Sequence, residues 1–279
     1  GQRVTRAEDG IVSAGGTNRR WGGVYELAEM LEHVPGGMSF AVRDFALVTL
    51  AGELAASFPG QLVFKGGFVL RHAYGHLRFS KDVDATRHAP PAHKLEAGEV
   101  AAAIRSASIR NVVRFLPGEP ATDSARSLDF DNVSVAGEVL GDSVVQVEVS
   151  YREAVLGNPV PVYIGGPFYE PFEILTMAVE EMAAEKLRTL AQRVRETDLA
   201  DLAVILRGST INDEEIARFA VTKFELVKQG RANSLDRIVR NLRELAETYD
   251  DVVPQLFPDA PSYQEAADTV WPRIKSLVP

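Results

Sequence analysis

Residues 65–84 of this 279-residue chain, KGGFVLRHAYGHLRFSKDVD, constrain its fold more than any other segment. The apolar run just before them predicts a buried strand, and the apolar stretch behind the glycine pair predicts a short helix. Asp82 and Asp84 then lie two residues apart in a second strand. Because side chains alternate along a strand, both carboxylates share one face while Val83 points into the core.

The acid pair and the glycine pair suit different parts of a nucleotide. Two carboxylates about 5–7 Å apart repel by roughly 2–3 kcal/mol at an effective dielectric of about 20, and a cation between them relieves that repulsion. Gly66 and Gly67 let the backbone approach a ligand closely, and free N–H groups at a helix start favour phosphate. A glycine pair alone is typical of a turn, and a lone acid pair is typical of a solvated strand edge. Their combination predicts a nucleotidyl-transfer site.

The segment also resembles a known motif. KGG, a short helix and RFSKDVD together resemble the first motif of the AbiEii-type nucleotidyltransferase toxins (AbiEii/AbiGii, MenT-like), which belong to the DNA polymerase β-like superfamily. In that motif, GS or GG precedes a short helix and an Asp-x-Asp, and Gly66-Gly67 and Asp82-Val83-Asp84 fill these places. The resemblance implies an α+β fold, with a small mixed β-sheet nucleotidyltransferase core and a C-terminal helical domain.

The superfamily places a third carboxylate on a neighbouring strand. Residues 144–150 alternate strictly, so that the valines face one way and Glu148 faces the other. An exposed edge glutamate is the simpler interpretation of Glu148 alone, but after the acid pair we expect it to be the third ligand. Many relatives carry Asp at this place, and Glu148 departs from them by its longer side chain.

Lys186 and Arg193 resemble the third motif of the family, a lysine and an arginine seven residues apart on a helix. Seven residues are nearly two turns, so the two cations share a helix face. That face is otherwise apolar. Either Lys186 extends along it to the surface, as lysines commonly do, or it reaches an anion in a cleft; the resemblance favours the second.

The fourth motif of the family, RxxDxxD, resembles the run from Arg195 through Asp198 to Asp201. Thr197 or Asp198 could cap the helix that follows, which is the structural alternative. Capping explains one acid at most, and Asp201 lies one turn further along the same helix face. We therefore expect Asp201 to be an active-site residue.

The resemblance implies a mechanism and a set of roles. One or two Mg²⁺ ions bind an NTP, and a nucleoside monophosphate passes to the 3′ end of tRNA, the protein being the toxin that a cognate antitoxin restrains. Asp82, Asp84 and Glu148 are the expected metal ligands, and with Lys186 and Asp201 they form the expected catalytic set. The expected nucleotide-binding residues are Lys65, Gly66, Gly67, Ser80, Arg193, Arg195 and Asp198.

Three points remain open at the level of sequence. A nucleotidyltransferase acting on an antibiotic or a protein would share the fold and the acid pair, and a non-catalytic binding protein could have kept the fold. Ser80 lies two residues before Asp82. It is either a loop or capping hydroxyl or a site whose phosphorylation, adding a charge of about −1.5 to −2, would block Mg²⁺–NTP binding.

Composition excludes several classes of protein. The 46% hydrophobic content suffices for a large core, and zero cysteines exclude disulfides and thiolate metal sites. There is no P-loop motif and no GxSxG nucleophile elbow. No apolar run approaches the roughly 18–20 residues of a membrane span, and no signal-peptide pattern opens the sequence. We expect a cytoplasmic protein without a membrane partner.

Net charge is −9, but its distribution is uneven. Residues 186–243 contain 12 Lys and Arg against 8 Asp and Glu, which is +4, so the remainder carries −13. This window permits a basic C-terminal face that binds RNA.

Patterning predicts three regions. Residues 40–58 predict an amphipathic helix, residues 157–171 are rich in turn formers, and Asn212 and Ser262 each begin a capping box. The predicted regions are a polar N-terminal segment with a short helix near 24–33 (1–38), the nucleotidyltransferase core (39–156) and the C-terminal helical domain (157–279).

Overall fold

The structure is a computed structural model. It describes residues 37–76, 78–88, 94–109, 113–137, 141–152, 154–166, 169–208, 210–226, 231–257 and 259–278. The predicted helix near residues 24–33, with nearly all of the polar N-terminal segment, lies outside these ranges.

Helices and strands alternate in the first half of the chain, and helices follow in the second. The helices are α1 (Met38–Ser57), α2 (Gly66–Tyr74), α3 (Ala97–Ser106), α4 (Val179–Gln192), α5 (Glu196–Arg207), α6 (Asp213–Leu226), α7 (Arg231–Leu245), α8 (Tyr249–Leu256) and α9 (Tyr263–Leu277). The strands are β1 (Leu62–Lys65), β2 (Asp82–Arg87), β3 (Arg114–Pro117), β4 (Thr122–Asp123), β5 (Ser127–Gly137), β6 (Gly141–Ser150), β7 (Val160–Gly166) and β8 (Tyr169–Thr176).

The strands form one mixed sheet in the order β3-β5-β6-β2-β1-β8-β7, with β4 paired to β5. In its centre β2 runs antiparallel to β1 and parallel to β6. Backbone proximity divides the chain into two compact units. The sheet unit holds the described residues up to Tyr74, Phe79–Val155 and Pro159–Thr176, and the helical unit holds Gly75–Arg78, Leu156–Asn158 and the chain from Met177 onward.

This division differs from the predicted boundary at residue 157. The stretch predicted to be turn-rich forms β7 and β8, and β8 pairs with β1 in parallel, so both strands belong to the sheet. The glycines and prolines of this stretch were misleading because β7 lies at the sheet edge. Proline is tolerated on an edge strand, where its missing N–H breaks no ladder hydrogen bond.

Helix α1 is buried on nearly all sides between Ala41 and Leu54, rather than amphipathic as predicted. A helix that is apolar all round packs inside a core. Its buried Asp44 is compensated, because Arg71 Nε donates to Asp44 Oδ1 at 2.8 Å and His72 Nε2 lies 3.0 Å from the same oxygen. Arg71 and His72 oppose the effect of burial and keep the pKa of Asp44 below its ordinary value.

The helical unit packs around α4 and α5, whose inner residues are almost fully buried. The predicted capping box at Ser262 is present, since its hydroxyl accepts from Glu265 N and the Glu265 side chain accepts from Ser262 N. At Asn212 only half of the box forms: Asn212 Oδ1 accepts from Glu215 N, but the Glu215 carboxylate pairs with Arg218. Across the described part of the chain, no helix is both long and apolar enough to span a membrane.

Candidate active site

The glycine pair joins β1 directly to α2. Gly66 has φ +74°, a left-handed conformation that side chains with a Cβ rarely adopt. A Cβ at this position would also lie 2.5 Å from Asp84 Oδ2. Two independent constraints therefore require glycine here, and one of them is the carboxylate of the acid pair.

Strand register brings charged residues to one level of the sheet. Lys65 on β1 is paired with Asp84 on β2, and Asp84 is paired with Glu148 on β6. Residues that pair across neighbouring strands project to the same face. The structure thus places Lys65, Asp84 and Glu148 in a row on one face, and Asp82 joins that face two residues away.

Ser80 contacts the acid pair directly. Its hydroxyl donates to Asp82 Oδ1 at 2.5 Å and lies 3.2 Å from the backbone oxygen of Asp82. Only 7% of Ser80 is exposed, so it does not stand at an open lip of the site. In this conformation the hydroxyl orients a carboxylate, and a kinase would need the segment to open before it could reach Ser80.

The acid pair fits a hard divalent cation in the type of its ligands, because Mg²⁺ prefers carboxylate oxygens. Asp82 and Asp84 are half-buried, whereas Glu148 is exposed. Within the residues that the structure describes, no three Asp, Glu, His or Cys side chains converge into a metal-binding group. The three expected ligands therefore share a face without forming a closed set of ligands.

Asp129 is an acid on this face that the sequence reasoning missed. It lies on β5 opposite Glu148, which extends the row by one strand. Its Oδ2 accepts from Ser127 Oγ at 3.0 Å, while its Oδ1 is buried without a hydrogen-bond partner among the described residues. The apolar Leu128 and Phe130 on either side of it were the available signal, since they predict a strand with Asp129 on the opposite face.

In the helical unit, Lys186 connects two carboxylates. From α4 its Nζ donates to Asp198 Oδ1 at 2.9 Å and lies 2.8 Å from Asp201 Oδ2, both on α5. The Lys186 side chain is only 15% exposed, so it does not extend to the surface. Arg193 Nε donates to Asp198 Oδ2 at 2.9 Å.

The fourth motif serves ion pairing rather than capping. Helix α5 has Arg195 as its N-cap residue, without a side-chain capping bond, and Arg195 is half-buried. Asp198 and Asp201 are fully buried among cations. The capping alternative for Asp198 is therefore wrong.

Arg78 completes this group, and the sequence reasoning had overlooked it. Its Nε lies 3.2 Å from Asp201 Oδ1, and the residue is only 6% exposed. We call Arg78, Lys186, Arg193, Asp198 and Asp201 the Asp201 cluster. Arg78 stands within the RFSKDVD motif, four residues before Asp82, so the chain itself links this cluster to the acid pair. Nothing in the local pattern signals that Arg78 is buried.

The cluster stabilises the charged forms of its members. Burial acts against charge on Lys186, but Asp201 and Asp198 outweigh it and raise the pKa of Lys186 above its ordinary value. Burial likewise opposes charge on Asp198, yet Lys186 and Arg193 hold the pKa of Asp198 well below its ordinary value. Lys186 is therefore a cation at neutral pH and cannot act there as a general base.

The basic window around the fourth motif does not form a basic face. Lys186 and Arg193 are paired within the Asp201 cluster, and Lys223 Nζ is buried 2.7 Å from Glu181 and 2.8 Å from Glu185. Exposed arginines on and near α7 alternate with exposed acids. These are Arg237, Arg240 and Arg243 beside Asp236, Glu244 and Glu247.

Comparisons with known proteins agree with this site. The family model described as nucleotidyl transferase AbiEii toxin, type IV TA system, matches residues 49–272. The structure is similar to MenT4, a nucleotidyltransferase toxin from Mycobacterium tuberculosis H37Rv, at 22% identity and TM-score 0.70, covering 91% of this chain and 89% of MenT4. A comparison with curated proteins gives no significant match.

Two structures from Helicobacter pylori are also similar. JHP933 is 18% identical with TM-score 0.52, covering 85% of this chain and 91% of JHP933. A putative nucleotidyltransferase is 19% identical with TM-score 0.55, covering 84% of this chain and 94% of that protein. At these identities the structures show the fold, and the predicted combination of a mixed sheet with C-terminal helices is confirmed.

The family match spans most of the chain and includes all four motifs, from the glycine pair to Asp201. The chain therefore belongs to the AbiEii nucleotidyltransferase toxin family of type IV toxin–antitoxin systems.

Proposed function

We propose that this protein transfers a nucleoside monophosphate from an NTP to the 3′ end of tRNA, in the cytoplasm and with Mg²⁺. The observation that carries the chemical part is the packing of the Asp84 carboxylate against Gly66. That contact joins a phosphate-binding turn to a metal-binding acid, which is the pairing that nucleotidyl transfer requires. The tRNA acceptor rests on family membership.

In the sheet unit, Asp82 and Asp84 would hold Mg²⁺, with Glu148 as the third carboxylate. A bound Mg²⁺ would neutralise phosphate charge and polarise the attacking hydroxyl. Ser80 fixes the orientation of Asp82 through its hydrogen bond. The backbone N–H groups that follow Gly66 at the start of α2 suit the phosphates of the NTP.

In the helical unit, Lys186 supplies positive charge to the transferred phosphate. Preorganised cations stabilise the charge that develops in phosphoryl transfer. Asp198 and Asp201 hold the Lys186 ammonium in place from two directions. Asp201 is engaged by Lys186 and by Arg78, so its role is to position these cations rather than to contact the incoming hydroxyl.

The reaction joins the acceptor hydroxyl oxygen to the α-phosphorus and releases pyrophosphate. A tRNA acceptor end is a flexible single strand on a phosphate-rich duplex, which suits a site that must receive a terminal hydroxyl. Because the described helical surface has mixed charges, we expect RNA binding with a shallow dependence on salt. A cognate antitoxin follows from membership in the family.

The acceptor is tested by incubating the protein with Mg²⁺ and each labelled NTP in the presence of total RNA, an aminoglycoside or a protein extract. We expect label in tRNA alone. Asp84→Asn is the inactive control, and Asp142→Asn, an exposed acid on β6, is the matched active control. Label in the aminoglycoside or in protein would support the other acceptor classes, and no label in any fraction would contradict nucleotidyl transfer.

A further inference from the structure

The segment that enters β2 carries two buried nitrogens without hydrogen-bond partners among the described residues. They are Nδ1 of His76 and Nη1 of Arg78. Buried donors are almost always satisfied in folded proteins, because leaving one unpaired costs about 1–3 kcal/mol, and more for a charged group. Such a pair within one short segment calls for an explanation.

The charge of the Asp201 cluster is also unbalanced. Arg78, Lys186 and Arg193 face only Asp198 and Asp201, so one positive charge has no carboxylate partner within the cluster. Burial lowers the pKa of His76, which Asp201 opposes and Arg78 reinforces, so His76 adds no further charge at neutral pH. An uncompensated charge held away from water is costly unless an anion neutralises it.

The unpartnered donor and the surplus charge meet at Arg78. Its Nε faces Asp201, whereas its Nη1 has no acceptor among the described residues. A guanidinium presents several donors in a rigid plane and can bind a carboxylate on one edge and a phosphate on another. Arg78 is therefore placed to hold a phosphate oxygen without leaving Asp201.

We propose that Arg78 is a phosphate ligand of the nucleotide site, binding the pyrophosphate portion of the NTP through its free Nη1 edge. This role rests on the proposed function, since pyrophosphate is the group that leaves in nucleotidyl transfer. Lys186 serves the transferred phosphate, and Arg78 serves the leaving group. Arg78 remains attached to Asp201 throughout, so the same contact positions it and holds its charge.

The competing explanation is that Arg78 serves only as a counterion that stabilises buried Asp201. The two roles differ in their response to lysine. A lysine at position 78 would restore the charge opposite Asp201, but it lacks the second planar edge that reaches phosphate. A counterion role is rescued by Arg78→Lys, whereas a phosphate-binding role is not.

The test is titration of inorganic pyrophosphate, without metal, into the purified full chain by calorimetry. We expect Arg78→Gln and Arg78→Lys to bind it about tenfold to a hundredfold more weakly than wild type, the range for one charge-assisted hydrogen bond. Asp201→Asn should bind at least as tightly as wild type, because it removes a competing anion. Arg71→Gln is the matched control, since Arg71 is a buried arginine already paired with Asp44.

Wild-type affinity in a folded Arg78→Lys protein would overturn the proposal, and so would the absence of pyrophosphate binding to wild type. If Arg78→Gln fails to fold by circular dichroism, Arg78→Lys and Asp201→Asn decide the matter. Loss of binding in Arg71→Gln to the same extent would also overturn it. Because no acceptor is present, these outcomes are independent of whether label reaches tRNA in the transfer assay.

Discussion

At the scale of single residues, the acid pair carries the chemistry. We expect Asp84→Asn to lower transfer by on the order of 10²–10³-fold, the range for losing one preorganised electrostatic group. Its thermal transition should stay near that of wild type, because the change relieves repulsion from Asp82 while it weakens the partner that faces Lys65. Label transfer and calorimetry measure the two effects. Normal turnover in this variant would exclude the metal role of Asp84.

Ser80 is expected to act through Asp82. Ser80→Ala removes a hydrogen bond to a carboxylate, so we expect a twofold to tenfold higher Mg²⁺ requirement, equivalent to about 0.5–1.5 kcal/mol. Ser80→Asp adds a negative charge beside the acid pair and should abolish transfer. The measurement is the rate at increasing Mg²⁺. Ser276→Ala, which removes a hydroxyl bonded to Arg273 O on α9, is the control and should titrate like wild type; undiminished activity in Ser80→Asp would count against a regulatory role.

Sequence reasoning at this scale found residues that sit in recognisable patterns and missed those that do not. Glu148 was accessible because strand alternation fixes its face, and Lys186 because its helix spacing resembles a motif. Arg78 and Asp129 were missed for different reasons. The burial of Arg78 depends on a carboxylate far along the chain, whereas the position of Asp129 depends on the register between β5 and β6.

At the scale of elements, the β1–α2 turn can be separated from ordinary backbone strain. Gly66→Ala and Gly60→Ala both place a Cβ in a left-handed conformation, so each should lose about 1–2 kcal/mol of unfolding free energy. Only the Cβ at position 66 meets Asp84; at position 60 nothing lies within 4 Å. We expect Gly66→Ala alone to lose transfer, on the order of a hundredfold, as for a misplacement of about 1 Å. Equal activity in the two variants would show that the contact is unimportant.

The packing of α4 against α5 gives a pH-dependent prediction. Asp198 has a folded-state pKa below its ordinary value of 3.8, so its contribution to stability is present above that value and is lost as pH falls toward the folded pKa. Asp198→Asn should cost about 3–5 kcal/mol at pH 7, because Lys186 and Arg193 lose a buried partner. The difference from wild type should shrink below about pH 4.

Urea unfolding at pH 7, 5 and 4 measures this difference. The control is Glu215→Gln, which breaks the exposed pair with Arg218 and should cost less than about 1 kcal/mol at each pH. A constant difference between wild type and Asp198→Asn down to low pH would contradict the charged state assigned to Asp198.

Element types were largely accessible from the sequence, and their layering was less so. The strand–helix–strand unit of residues 62–87 follows from local periodicity and the glycine pair. The β7–β8 hairpin does not, because an edge strand tolerates the same glycines and prolines that mark a turn. The burial of α1 on all sides depends on elements that arrive later in the chain.

At the scale of the whole molecule, net charge is a poor guide to the RNA-binding surface. The surplus of basic residues in the window 186–243 is largely consumed by internal ion pairs or matched by neighbouring acids. Composition counts charges without showing which of them are paired. The acceptor is therefore best established by measuring the product.

The most direct test of the central claim is the length of deacylated tRNA after incubation with Mg²⁺ and a single NTP. We predict a product longer by one to a few nucleotides at the 3′ end, formed by wild type and not by Asp84→Asn. Removing the terminal CCA or oxidising the terminal ribose should abolish the product. Unchanged tRNA with every NTP, under conditions where the folded protein binds pyrophosphate, would contradict the assignment of tRNA as the acceptor.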